Sequence, residues 1–216
     1  ITAEGMVMKR QGLQVSRGLM AFWADIDADY LPRFQEWHNT EHIPERISIP
    51  GFNVGRRYRG MSAAPNFLMF YETDTASVFA SVPYIARLND PTPWTSESLT
   101  HLQNPSRNIY SLLAETGRAA GMEAAYVHTL RFNLDTVPAD WLPQGETYRS
   151  RLYEVDEDIS NIMTSERNIY GGGPGQQQYL AMVECARPLD VLQPPPSATD
   201  VFNDCFWLEI ALYPGA

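Results

Sequence analysis

The hydrophobic residues of the first half of the chain alternate between strand-like runs and helix-like stripes. Residues 19–26 form a short apolar run rich in aromatic side chains, which predicts a buried strand. A helix is predicted over residues 30–42, capped by Asp27 or Asp29, and Pro44 is expected to end it. Two strands, two helices and a final strand follow, at residues 53–61, 67–73, 75–88, 94–102 and 108–114.

The same order of elements restarts after the small residues at 118–121. Pro143 and Gly145 interrupt a weak predicted helix over residues 141–154, and the second helix of this half, near residues 189–193, is mostly reduced to a loop. The strands of this half are predicted at residues 125–134, 159–169, 179–185 and 206–213. Strand, helix, strand, strand, helix, strand is the ferredoxin-like order.

This repetition predicts an α+β protein of two tandem ferredoxin-like repeats. A single ferredoxin-like sheet has helices on one face only, so we expect the bare faces of the two halves to stack as a pseudo-dimeric α+β barrel. Residues 1–17 are an N-terminal extension, which can include added residues before Met6 or Met8. Residues 18–118 form the first half, which carries the candidate site, and residues 119–216 form a degenerate second half.

The first long helix carries the chemistry that the pattern predicts. Its apolar stripe begins with Leu31 and Phe34, at about 100° per residue. Further along, the same face holds an indole, two imidazoles and a carboxylate, from Trp37, His38, His42 and Glu41. Such groups are costly to bury unless they are paired or meet a ligand, so this face predicts a pocket. Two other interpretations remain open: the helix unwinds after Trp37, or the His–Glu pair is structural.

A histidine beside a carboxylate is a proton-transfer pair near neutral pH. The neighbouring strand offers Arg56, Arg57 and Tyr58 in alternating directions, so one arginine can hold an oxyanion in the pocket or both can be surface charges. Aromatic side chains are candidates for the walls around a flat ligand, from Trp37, Tyr71, Tyr84 and Trp94. The pattern does not say which histidine is the acid and which the base.

His38 and His42, with Glu41 between them, also fit the H-x-x-E-H pattern of inverted zincins. A zinc site needs a third protein ligand, and the predicted helix is cut at Pro44. We therefore expect no metal at this segment and no other cofactor.

The composition and net charge of the chain limit the classes of molecule that it is expected to bind. The net charge is −10 and no run is rich in lysine and arginine, so neither nucleic acid nor an anionic membrane is an expected partner. No run of about 18 apolar residues predicts a membrane span. Cys185 and Cys205 lie in apolar strand-like runs and are predicted to be buried free thiols. We expect a cytoplasmic protein with a small-molecule substrate. The sequence leaves open whether it forms a homodimer.

Parts of this sequence resemble the EthD-like branch of the dimeric α+β barrel superfamily. The segments that carry the resemblance are W-H-N-T-E-H-I-P-E-R at 37–46, I-P-G-F at 49–52, R-R-Y at 56–58, Y-E-T at 71–73 and P-T-P-W at 91–94. The resemblance spans residues 18–115 and implies a ferredoxin-like fold, with His38 and His42 at polar positions of a pocket. Relatives include cofactor-free monooxygenases, isomerases, polyketide cyclases, dehydratases, decarboxylases and heme enzymes, so it does not identify the reaction.

We therefore predict a cofactor-independent lyase, isomerase or cyclase for a small aromatic or polyketide-like substrate. His38 or His42 would transfer a proton with the help of Glu41, while Arg56 or Arg57 with Tyr58 would stabilise the oxyanion. Two alternatives remain: a cofactor-free monooxygenase of the same barrel type, and a non-enzymatic ligand-binding or assembly module.

Overall fold

Eight antiparallel strands close into a barrel in the computed structural model, which describes residues 16–62, 64–117, 123–138, 141–143 and 147–215. Around the barrel the strands follow the order β1-β3-β2-β8-β5-β7-β6-β4. Their bounds are β1 Gly18–Ile26, β2 Phe52–Gly60, β3 Phe67–Thr73, β4 Leu102–Gly117, β5 Tyr126–Asn133, β6 Arg149–Val155, β7 Tyr179–Cys185 and β8 Thr199–Leu212. The predicted α+β class, with its strands closed into a barrel, is confirmed.

Short helices pack against the outside of this barrel. Their bounds are α1 Leu31–Trp37, α2 Ile43–Ile47, α3 Val82–Asn89, α4 Pro93–Leu99, α5 Glu157–Ser160 and α6 Ser165–Tyr170. A π-helical turn, His38–His42, joins α1 to α2, and 3-10 turns precede α1 and α3 at Ala28–Tyr30 and Ala76–Ala80. In the part of the chain that the structure describes, no helix is long and apolar enough to cross a membrane.

Strand alternation divides the core into an inner and an outer layer. On β1, Leu19 and Trp23 point into the barrel, whereas Met20 and Phe22 point outward to the helices. Phe34 of α1 and the buried side chains of the other covering helices belong to the same outer layer. A strand with both faces covered is apolar throughout, which explains why residues 19–26 form an unbroken hydrophobic run.

The two halves of the chain repeat one strand order. The first four strands lie side by side as β4-β1-β3-β2, and the last four as β8-β5-β7-β6. The predicted boundary at residues 118–121 and residues 1–15 of the predicted extension lie outside the described residues.

Two elements predicted for the second half are wrong. Residues 149–155, the end of the predicted helix at 141–154, form β6, in which Arg151 and Tyr153 face the barrel interior. The predicted strand at 159–169 is replaced by α5 and α6. Helix is favoured there because the side chains of Asp156 and Thr164 cap the two helices by accepting hydrogen bonds from backbone N–H groups.

Pro44 does not end the first helical segment, which continues to Ile47. The hydrogen bonds of the preceding π turn run from residue i to i+5, and Pro44 falls in the first turn of α2, where a missing N–H costs little. The helix predicted over residues 75–88 is likewise divided, into a 3-10 turn and α3. Cys185 is a buried free thiol, as predicted, whereas the free thiol of Cys205 is only partly buried.

Candidate functional site

A cavity of about 50 Å³ lies between the outer face of the first four strands and the helices that cover it. Its wall is aromatic and aliphatic, with several polar groups among them. The residues that line it are Met20, Phe22, Phe34, Trp37, His38, His42, Arg46, Met69, Tyr71, Tyr84, Leu88, Leu99, Leu102, Arg107, Thr164, Glu166 and Tyr170. Both halves of the chain contribute, since the last three belong to the α5–α6 segment.

The π turn stacks the two imidazoles on one side of the helical segment. The ring centroids of Phe34 and His38 lie 5.4 Å apart, and those of His38 and His42 are also 5.4 Å apart with an interplanar angle of 22°. The wider turn nearly eclipses residues four apart, so both histidines reach the cavity. Arg46, four residues after His42, continues this spacing and also lines the cavity.

The protonation of His38 is set by an arginine. Arg57 Nη1 lies 3.2 Å from His38 Nδ1, and Arg57 is held by Asn39 Oδ1 at 2.9 Å and Glu209 Oε2 at 2.6 Å. Because arginine only donates hydrogen bonds, Nδ1 accepts, and the proton of the neutral ring lies on Nε2. Burial, and then the charges of Arg57 and Arg46, lower the pKa of His38 well below its ordinary value. His38 is therefore a neutral ring at neutral pH.

His42 Nδ1 is buried and has no hydrogen-bond partner among the described residues. The His42 ring packs against Trp37 at 4.4 Å and Tyr71 at 6.4 Å between centroids. Burial, followed by the charges of Arg46 and His38, lowers the pKa of His42 well below its ordinary value. The Tyr71 hydroxyl is also buried without a described partner, and burial raises its pKa. The cavity thus holds a neutral imidazole beside a protonated phenol.

Two guanidinium groups face this cavity. Arg46 is buried and hydrogen-bonds Glu166, and its Nη1 lies 3.2 Å from Glu45 Oε2. Burial acts to lower the pKa of Arg46, but Glu166, Tyr84, Glu45 and Tyr71 together outweigh it, and the pKa is raised. Arg107 donates from Nη2 to the Tyr84 hydroxyl at 3.1 Å.

Among the described residues, no group of three or more histidine, cysteine, aspartate and glutamate side chains is arranged to hold a metal ion.

No family model matches the chain, and no curated protein sequence matches it at a significant level. An anthrone oxidase-like protein aligns with a TM-score of 0.55 at 8% identity, over 93% of this chain and 94% of that chain. A putative monooxygenase from Lactobacillus acidophilus NCFM aligns with a TM-score of 0.52 at 6% identity, over 94% of this chain and 98% of that one. The chain shares the α+β barrel fold of these two structures.

The structure brings five of the predicted site residues to the wall of the cavity: Trp37, His38, His42, Tyr71 and Tyr84. Arg57 lies behind His38 and reaches the site through that ring.

The other predicted residues lie elsewhere. Glu41, predicted to assist the histidines, does not line the cavity, and its Oε1 accepts hydrogen bonds from Thr92 at 2.5 Å and Thr95 at 3.2 Å. Arg56 and Tyr58 point into the barrel, since alternate residues of a strand face opposite sides of the sheet. Trp94 packs beneath the Arg33 guanidinium instead of lining the cavity.

Three charged side chains and one phenol of the cavity wall are among the residues that were not singled out from the sequence: Arg46, Arg107, Glu166 and Tyr170. Arg46 continues the spacing of four from His38 and His42, but the helix was expected to stop at Pro44. Glu166 and Tyr170 also have a spacing of four, in a segment interpreted as a strand. Arg107 has no sequence signal, because its place depends on the pairing of β4 beside β1.

Proposed function

We propose that this chain is an enzyme that acts on a small aromatic or polyketide-like molecule by proton transfer at carbon, without a bound cofactor. The observation that carries the proposal is the buried His42 Nδ1, which has no described hydrogen-bond partner although the His42 ring lines an aromatic cavity. A buried nitrogen without a hydrogen bond costs stability, and substrate-binding sites are where such costs are tolerated. Because the His42 ring is neutral at neutral pH, it can accept a proton.

The two histidines divide the chemistry in this proposal. His42 removes a proton from a carbon next to a carbonyl or phenol ring, which leaves negative charge on the substrate oxygen. His38 carries its proton on Nε2, so it acts as a hydrogen-bond donor, and the Tyr71 hydroxyl is a second donor toward that oxygen. Arg57 acts through His38 as a positioning residue. Return of the proton to another carbon completes an isomerisation. In a lyase the carbanion instead expels a leaving group, which takes the proton from His42. In a cyclase the carbanion adds to a carbonyl carbon of the same molecule, and the carbonyl oxygen takes the proton.

A second candidate is a cofactor-free monooxygenase, favoured by the names of the two aligned structures. It begins with the same proton removal by His42. The carbanion is then oxidised by dioxygen, so that a CH2 group and O2 become a ketone and water. One oxygen atom enters the product and the other leaves as water, which balances the reaction without a further reductant.

We also propose that the barrel consists of two tandem ferredoxin-like halves of the EthD-like branch. The repeated orders β4-β1-β3-β2 and β8-β5-β7-β6 support the halves, and the segments of residues 37–58 support the branch. A homodimer stays a prediction, which light scattering of the purified protein would test.

The central experiment compares wild type with His42→Ala, His42→Gln and His38→Ala. His101→Ala is the matched control, because His101 stacks on Tyr30 and pairs with Asp27 away from the cavity. Anthrone and single-ring enolisable ketones are incubated in D2O, and deuterium uptake at carbon is followed by NMR together with oxygen consumption. Loss of His42 is expected to slow exchange about 10²–10⁴-fold.

The outcomes separate the candidates. Exchange or rearrangement without oxygen uptake supports the lyase, isomerase or cyclase. Oxygen uptake equal to ketone formation supports the monooxygenase. Binding without exchange or conversion, or unchanged rates in both His38→Ala and His42→Ala, would contradict the enzyme and leave a binding module.

A further inference from the structure

Arg107 differs from the other buried or half-buried arginines of the described chain. A carboxylate lies within 4.0 Å of most of them, which are Arg46, Arg56, Arg57, Arg59, Arg131, Arg149 and Arg151. Arg167 has none, but its guanidinium donates to the backbone oxygens of Ser160, Ile162 and Gly172. The Arg107 side chain has one described hydrogen bond, to the Tyr84 hydroxyl at 3.1 Å. Its positive charge is therefore not neutralised by a contacting carboxylate.

Tyr84 extends this group of donors. Its hydroxyl oxygen accepts from Arg107, so its own O–H remains available to donate. Tyr84 is buried, and its ring packs edge-on to Phe79, which fixes the hydroxyl. Both residues line the same cavity as His42.

The acidic side chain in the cavity wall already has a contacting partner. Glu166 forms a buried hydrogen bond with Arg46, and it acts on the Arg107 charge only at longer range, without an ion pair within 4.0 Å. The cavity wall thus contains two guanidinium groups, from Arg46 and Arg107, and one carboxylate, from Glu166. A charged group held in a partly enclosed cavity without a counter-ion is stabilised by an anionic ligand.

We infer that the pocket takes an anionic substrate, an aromatic carboxylate, whose carboxylate group is held by Arg107 and Tyr84. The planar guanidinium matches a carboxylate in a two-point contact, and the phenol O–H adds a third hydrogen bond. The aromatic ring then lies among Phe22, Met20 and Tyr170, with the reacting carbon toward His42. This inference rests on the proposed function only in taking the cavity to be the substrate pocket.

Binding of benzoate and of its neutral counterpart benzamide, measured by calorimetry, tests the inference. Wild type is expected to bind benzoate at least about tenfold more tightly, the range of a hydrogen bond to a charged group. Arg107→Met should reduce the preference to less than about twofold, Arg107→Lys should keep part of it, and Tyr84→Phe should weaken it by about threefold to tenfold. Arg33→Met is the matched control, since Arg33 lies on the surface and pairs with Glu97.

Benzoate binding to wild type is measured without turnover, so it separates a failure of the enzyme proposal from a failure of the anion site. The comparison of benzoate with benzamide on wild type needs no variant, so it stands even if Arg107→Met does not fold. Absence of benzoate binding, equal binding of the two probes, or an unchanged preference in a folded Arg107→Met would overturn the inference.

Discussion

One arginine inside the barrel and one at the cavity on its outer face are buried in different ways. Inside the barrel, Arg151 is fully buried and donates to Glu72 at 2.7 Å and Glu184 at 2.5 Å, while Arg56 donates to the same Glu72 at 3.1 Å. On the outer face, Arg107 borders the cavity with a tyrosine hydroxyl as its described partner.

This difference separates charge that holds the fold together from charge that is available to a ligand. A buried ion pair is neutral as a unit, and the loss of one member leaves an uncompensated charge. A cationic group without a counter-ion contributes little to the fold. Buried charge alone is thus a poor guide to function, and the missing partner is the informative feature.

The largest expected effect comes from the barrel interior. Arg151→Met leaves Glu184 without its Arg151 partner and Glu72 with Arg56 alone. We expect the free energy of unfolding to fall by about 3–5 kcal/mol, measured by urea denaturation. Arg107→Met is the matched control on the outer face, and its expected loss is only about 1 kcal/mol, for one hydrogen bond. Equal losses in the two variants would contradict the comparison.

The sequence predicts the outer face better than the barrel interior. The helical stripe from Leu31 to His42 depends on local periodicity, so a single segment suffices to show that Trp37, His38 and His42 share a side. The same periodicity does not predict the position of the Glu41 side chain, because its hydrogen-bond partner Thr92 lies far along the chain.

Long-range pairing decides what the sequence does not show. Arg151 meets Glu72 only because the barrel closes through β6 and β4, and the surrounding sequence was interpreted as helix. Glu166 reaches the first half's cavity from the connection between β6 and β7, which was predicted as a strand, whereas Asp156 and Thr164 cap two helices there. Local pattern therefore predicts the faces of single elements, and tertiary context fixes the pairs between them.

Acid should begin to destabilise the two regions at two different pH values. Burial acts to raise the pKa of Glu72, but Arg151 and Arg56 outweigh it and lower that pKa from 4.5 to about 2. A carboxylate with a lowered folded-state pKa stabilises the fold fully above 4.5, and this contribution, about 3 kcal/mol, is lost as the pH falls toward 2. The folded-state pKa values of His38 and His42 are also lowered, so their contribution is lost from about pH 6.5 downward.

The free energy of unfolding, measured from pH 8 to pH 2.5, should therefore decline in two steps. Glu72→Gln is expected to flatten the lower step, and His42→Phe part of the upper one. A stability that stays constant between pH 6.5 and pH 5 would count against buried neutral histidines.

The smallest effect is also the sharpest comparison, because it uses one substitution on both faces. Tyr153 and Tyr71 are both almost completely buried, but the Tyr153 hydroxyl accepts from Arg151 at 2.7 Å, whereas the Tyr71 hydroxyl has no described partner. Tyr153→Phe leaves one donor of a buried guanidinium unpaired and should cost about 1–2 kcal/mol of unfolding free energy. Tyr71→Phe removes a hydroxyl that makes no described bond, so stability should stay the same or rise by up to about 1 kcal/mol.

The two substitutions should affect turnover in the opposite order to stability. If Tyr71 donates to the substrate oxyanion, Tyr71→Phe loses that donor in the transition state and turnover falls about 10-fold to 10³-fold, while the fold is no weaker. Tyr153→Phe loses stability but keeps the turnover of its folded fraction, because its ring lies inside the barrel. A Tyr71→Phe variant that is clearly destabilised would show that the hydroxyl has a structural partner. The polar groups of the cavity would then be paired like those of the barrel interior, which would contradict a ligand site there.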